Sequence, residues 1–311
     1  MTNMKKLGLT ALAGSLVATS GFAGELSVTG TAKLTYVSQH ESEVTGNPFS
    51  MSQGIGFAGS GDLDNGMTIN YGYTMTDAAF SSSTLKLDMG DMGTLSYSDG
   101  ASTTGIGAYD DKMPTAGEEV WDDMDGQANG IAGISNKGTL GYSGTFSGVG
   151  VSVSYNPDDA AAPSTTAESS KSIVLSGDVG GATVFIGTGD KAGKTSNTGT
   201  DVMTAGATYV AGMVTVGFQT TSIDASAANA DVDRNHIAAS FAVNENLSVS
   251  YGMSTVEFES AAKVDQEDSG VAVSYTMGSM TLGAFMNNSD DVGGTNGAED
   301  SITEVSLAFA F

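Results

Sequence analysis

Alternation of apolar and small polar residues with a period of two runs from Leu26 to the last residue, and no other feature constrains the chain as strongly. Met67, Ile69, Tyr71, Tyr73 and Met75 interleave with Thr68, Asn70, Gly72 and Thr74. Val149, Val151, Val153 and Tyr155 interleave with Gly150, Ser152 and Ser154, and Leu247, Val249, Tyr251 and Met253 with Ser248, Ser250 and Gly252. Successive side chains of a strand point to opposite faces, so each segment carries one apolar and one small polar face. Helical spacing of apolar residues is almost absent.

The connections sharpen this reading. Short turns fall at Asp64-Asn65-Gly66, Asp91-Met92-Gly93, Ser147-Gly148, Asp178 to Gly181, Ala211-Gly212, Asn244 to Asn246 and Gly278-Ser279. Longer polar segments lie between them, at about 38–48, 76–83, 99–135, 156–169, 190–201, 223–233, 257–268 and 288–299. Short and long connections alternate strictly and imply sixteen strands with both chain ends on the tight-turn side. An even strand number with short turns on one side and long loops on the other is the layout of a transmembrane antiparallel up-and-down β-barrel. A bilayer offers no water to unpaired backbone groups, so the sheet must close. The apolar rows carry no charge, as in Ile237, Ala239, Phe241 and Val243. A Lys or Arg there would cost roughly 2–4 kcal/mol at mid-membrane.

The first 23 residues read as an address. Lys5 and Lys6 precede an apolar run from Leu7 to Val17, and Gly21-Phe22-Ala23 offers small residues for a signal peptidase. The run is too short for a spanning helix, which needs roughly 20 residues. A cleaved signal peptide, 1–23, is therefore expected before a single barrel domain, 24–311. Losing Lys5 and Lys6 leaves 9 basic residues against 36 acidic ones, a balance of −27. Such a chain lacks the basic face that nucleic acid requires. Without cysteine, disulfides, thiolate metal sites and a Cys nucleophile are excluded.

The chain ends Val305-Ser306-Leu307-Ala308-Phe309-Ala310-Phe311. Val305, Leu307, Phe309 and Phe311 resemble the assembly signal by which outer-membrane barrels are recognised by the barrel-assembly machinery. The segment from Leu85 to Tyr97, with Asp88-Met89-Gly90-Asp91-Met92-Gly93 at its turn, resembles the fourth strand, turn and fifth strand of Gram-negative general diffusion porins. In both, the longest loop follows, here at about 99–135. The resemblance implies a 16-stranded homotrimer in the cell outer membrane, with a third loop folded into the lumen to narrow the pore. General porins often set an arginine cluster opposite that loop. This chain departs from the pattern, Arg234 being its one arginine.

If the third loop lies in the lumen, its carboxylates, Asp110, Asp111, Glu118, Glu119, Asp122, Asp123 and Asp125, form an acidic constriction. Low-dielectric walls focus such a field and enrich cations. Strand parity aims Lys33, Lys86 and Arg234 inward, and Lys33 and Lys86 make a reduced basic wall. Thr115-Ala116-Gly117-Glu118 has capping-box spacing, predicting a short helical turn with Trp121 as its apolar anchor. No cofactor is expected, although clustered carboxylates also suit Ca²⁺. Catalysis finds no support: His40 and His236 have no nucleophile or carboxylate placed by a motif to act with them. Gly54-Ile55-Gly56-Phe57-Ala58-Gly59 fits a dinucleotide fingerprint literally, but no helix is predicted after it. The reading is a water-filled passive channel for small hydrophilic solutes and ions, preferring cations. Its alternatives are a solute-specific outer-membrane channel and a secreted or surface β-rich adhesin or structural protein.

Overall fold

A computed structural model describes residues 26–40, 46–110, 112–125, 131, 138–157, 169–191 and 199–311. The expected signal peptide and Asp111 lie outside the described residues.

Sixteen strands close into one antiparallel barrel in which each pairs with its sequence neighbours and the last returns to the first. The first half comprises β1 (Leu26–Gln39), β2 (Phe49–Asp62), β3 (Thr68–Thr76), β4 (Ala79–Asp88), β5 (Thr94–Asp99), β6 (Thr139–Phe146), β7 (Val149–Asn156) and β8 (Ser170–Val179). The second half comprises β9 (Ala182–Lys191), β10 (Thr200–Ala211), β11 (Val214–Ala225), β12 (Val232–Ala242), β13 (Leu247–Phe258), β14 (Gln266–Met277), β15 (Met280–Asp290) and β16 (Glu299–Ala310). The dinucleotide-like glycines lie inside β2, with no helix after them.

Burial is inverted relative to a water-soluble fold. The alternating apolar rows, such as Leu85, Tyr155, Phe218, Ile237, Tyr251 and Val271, lie exposed on the outer surface. Their partners in the alternation, including Ser152, Ser154, Ser172 and Ser254, point inward and are buried. At the seam, β1 pairs with β16 from Thr31↔Ala310 to Gln39↔Ile302. Phe311 extends the ladder, donating its N–H to Gly30 O at 2.8 Å and accepting from Gly30 N at 3.1 Å. Val305, Phe309 and Phe311 face outward there.

The tight turns fall where the sequence places them. Ser147 and Gly148 both have positive φ, 51° and 85°, the backbone that a two-residue hairpin needs to match strand twist. One expectation fails. The supposed long segment at 76–83 is a two-residue hairpin of Asp77 and Ala78, with φ of 49° and 66°. The polar run after it is strand: Ser82 and Ser83 pair with Thr74 and Tyr73, and a register shift lies between Thr74 and Met75. Asp77 holds the hairpin against β2, accepting from Gln53 N at 2.9 Å and donating its own N–H to Gln53 O at 2.9 Å. Strand hydrogen bonding overrides a loop-like composition, and strict alternation of short and long connections breaks at this point.

Ile237 sits mid-strand on the outer face and is 59% exposed. Ile237→Arg should lower the folding free energy in liposomes by about 2–4 kcal/mol, measured by denaturant titration.

Candidate functional site

Irregular backbone inside a barrel needs partners for its own polar groups. The described part of the long connection between β5 and β6 finds them on the inner wall, so it lies within the barrel. Wall side chains meet its backbone in sequence. Gly105 N donates to Ser152 Oγ at 2.8 Å and Ile106 N to Ser172 Oγ at 2.8 Å. Gln219 Nε2 donates to Tyr109 O at 2.9 Å, and Ala116 N to Ser250 Oγ at 2.9 Å. Asn287 Nδ2 donates to Glu119 O at 2.9 Å, and Asp125 N to Asp300 Oδ2 at 2.7 Å. At Gly105 the approach is so close that a Cβ would lie 2.2 Å from the Ser154 and Ser172 hydroxyls, so only glycine fits.

Apolar footholds complete the docking. Ile106 is buried among Val174, Phe185, Val202 and Ile223 on β8 to β11. Met113, Val120 and Trp121 pack together with Ala238 of β12. Met124 packs on Ala272, Phe285 and Ile302 of β14 to β16. Burying a side chain of this size is worth about 1.5–3 kcal/mol. Footholds from Ile106 to Met124 thus hold this described stretch as a shelf along half the wall. Trp121 is the apolar anchor that the sequence suggests. The helical turn expected at Thr115–Glu118 is not formed. The Thr115 hydroxyl donates to Glu118 O at 2.8 Å and accepts from Gly117 N at 3.0 Å, making a local turn instead of a cap. Ile106–Tyr109 forms a 3₁₀ turn.

Most of the predicted carboxylates lie on this shelf, at two places. Asp110 accepts from Ile131 N at 2.6 Å and lies within electrostatic reach of Arg234. Glu118, Glu119, Asp122 and Asp123 gather at the far end, beside β1 and β16. Glu119 N donates to Asp122 Oδ2 at 3.0 Å. Carboxylate oxygens of Glu118, Glu119 and Asp122 lie within 4.8 Å of one another, the one set among the described residues arranged to hold an oxygen-seeking divalent cation. Asp125 is exposed and enters the contacts through its backbone.

The basic candidates differ from one another. Lys33 Nζ lies 2.7 Å from Glu304 Oε1 of β16 and 3.7 Å from Glu118 Oε1, so its charge is spent locally. Lys86 is half-buried on β4 between Asn70 and Ser96 and makes no ion pair among the described residues. Arg234 points inward but is mostly buried. His236, two residues on, is 1% exposed with its ring centroid 4.3 Å from that of Trp121.

Between the shelf and the turn end remains a cavity of ≈ 850 Å³, lined by groups such as Thr94, Lys112, Thr145, Ser176 and Thr183. Sequence reading missed Glu304 and the wall residues Ser152, Ser172, Ser250, Asn287 and Asp300. Inward parity marks them as lumen-facing, but nothing local says which meet a loop distant in sequence.

Burial raises the Glu118 carboxyl above its ordinary 4.5, with the Asp122 charge adding to it and Lys33 opposing. Burial likewise raises Asp123 above 3.8, helped by Asp122 and Glu304. Raised carboxyls protonate early on acidification, and the folded state then holds more protons than the unfolded one. Stability from these two groups is therefore present at low pH and lost as pH rises through their folded values. Glu118→Gln should flatten this acid-side slope, which thermal unfolding from pH 4 to pH 7 would measure.

A family model described as Gram-negative porin matches residues 8–311. No curated protein matches the chain by sequence. Among solved structures, a porin refined at 1.8 Å resolution superposes with a TM-score of 0.72 at 14% identity, over 92% of this chain and all of that one. A mutant of Rh. blastica porin gives a TM-score of 0.66 at 15% identity, with the same coverage. OmpT, an outer membrane protein of Vibrio cholerae, gives 0.69 at 13% identity, over 93% of this chain and 98% of that one. At such identities the likeness is one of fold.

Proposed function

Since the chain belongs to the family of Gram-negative porins, we propose that it is a passive diffusion channel for small hydrophilic solutes and ions with a preference for cations. One observation carries this reading. An acidic shelf crosses the inside of a closed barrel and leaves a polar-lined space beside it. No step needs a reacting group, so the rate follows pore width, lumen charge and concentration gradient.

The cation preference follows from which charges remain uncompensated. Lys33 is held by Glu304 and Glu118, and Arg234 is mostly buried with the Asp110 charge acting on it, so Lys86 and Lys112 are the basic groups left to oppose the acidic ones. Asp122 and Asp123, with what Lys33 leaves of Glu118, then set the sign of the field, which low-dielectric walls focus onto the passage. A homotrimer in outer-membrane lipid, reached through a cleaved signal at residues 1–23 and recognition of Val305, Leu307, Phe309 and Phe311 by assembly machinery, fits the family and the outward-facing C-terminal row. A secreted adhesin would have to leave the apolar outer belt in water, at great hydrophobic cost. A solute-specific channel is separated from a size-limited pore by liposome swelling with sugars of graded size.

Reconstituted in a planar bilayer under a salt gradient, the protein should give a reversal potential of cation-selective sign. The triple variant Glu118→Gln, Asp122→Asn, Asp123→Asn should bring that potential close to zero. An anion-selective wild type would overturn the preference.

A further inference from the structure

One rung of the barrel behind the shelf carries polar side chains that solute passage does not use. Gln219 of β11, His236 of β12, Ser254 of β13, Asp268 of β14, Ser289 of β15 and Asp300 of β16 are successive register partners. All face inward, and none is more than 6% exposed. Asp300 is satisfied by Asp125 N at 2.7 Å and Ser301 N at 2.6 Å. Asp268, 1% exposed, is not. Its Oδ1 accepts from Gln266 Nε2 at 2.9 Å, while the Ser254 and Ser289 hydroxyls lie beside its carboxylate without making a hydrogen bond of good geometry to Oδ2.

Two further oxygens share that condition. Ser254 Oγ and Ser289 Oγ, 2% and 1% exposed, have no hydrogen-bond partner among the described residues. Both reach toward Asp268 from neighbouring strands, near enough for their hydroxyls to favour its charged form. Gln266 cannot turn to help, because its Oε1 accepts from Gly293 N at 2.8 Å. The further charge that acts on it, Asp290, has the same sign. Asp268 makes no ion pair with Lys or Arg among the described residues. A buried carboxylate persists as an ion only if it is paired or coordinates a metal.

We propose that Asp268 Oδ2, Ser254 Oγ and Ser289 Oγ form a buried site for a monovalent alkali cation, sodium or potassium. The donors are all oxygens, which suits a hard cation. One carboxylate with two neutral hydroxyls is neutralised by a single positive charge. Calcium, with two positive charges against one carboxylate, would leave an excess charge buried. The site links β13, β14 and β15 just beyond Ala272 and Phe285, where Met124 docks. Loading it therefore stiffens the wall on which the last foothold of the shelf rests. This goes beyond the channel reading and is read out by stability, so either can fail without the other.

The test is thermal unfolding of the detergent-solubilised protein, followed by fluorescence of Trp121, its one tryptophan. Sodium chloride, potassium chloride and choline chloride are compared at equal ionic strength. The expected result is a saturable rise in Tm with sodium or potassium that choline does not reproduce, and its loss in Asp268→Asn. Ser289→Ala, which removes one neutral donor, should raise the half-saturating salt concentration roughly tenfold, the change that ~1.4 kcal/mol of lost interaction produces. Should Asp268→Asn fail to fold, the Ser289→Ala and Ser254→Ala titrations decide by the same shift. Equal Tm in all three salts, an alkali effect that survives Asp268→Asn, or saturation of the same effect by millimolar calcium would each overturn the proposal.

Discussion

Everything in this molecule depends on satisfying backbone hydrogen bonds where water is absent. Inside a bilayer an unpaired N–H or C=O is too costly to keep, so the sheet must close on itself. The β1–β16 ladder does this, and Phe311 carries the pairing to the end of the chain through Gly30. Once closed, the barrel has no free edge, and alternation then assigns every side chain to lipid or lumen. The outer row supplies the apolar surface that lipid requires. The inner row faces the lumen and the loop that docks on it.

The same constraint governs the loop inside. Its backbone lacks a strand ladder, so the wall must provide partners one by one. Ser152, Ser172, Ser250 and Asn287 do so, and Ile106, Trp121 and Met124 add apolar contact between them. Docking of this kind brings the acidic residues to the inner side of the barrel chiefly through backbone and apolar contacts, with Asp110, Glu118 and Asp122 adding side-chain contacts of their own. Lys33 is held between Glu304 of β16 and Glu118 of the loop.

How much of this was legible in sequence varies with the range of the interaction. Strand segments and tight turns were readable because they depend on neighbouring residues. Ser147-Gly148 announces its hairpin, and Val149 to Tyr155 their faces. The segment at 76–83 misled because serine-rich composition resembles a loop, while cross-strand pairing with Thr74 and Tyr73 keeps it in the sheet. Thr115–Glu118 misled for a similar reason: capping-box spacing is only a local preference, and the bond from Ala116 N to Ser250 Oγ fixes a different turn.

By itself, the sequence determined the strand count, the alternation of faces, the acidic balance and the residues of the acidic loop. Each of these follows from a period of two or from composition, which need no knowledge of distant neighbours. Tertiary structure alone decided that Glu304 would meet Lys33, that Arg234 would be mostly buried and His236 would lie against Trp121, and that Ser254, Asp268 and Ser289 would share one rung. Those encounters depend on register across strands and on the path of a loop through the lumen, and neither is written in the spacing of adjacent residues.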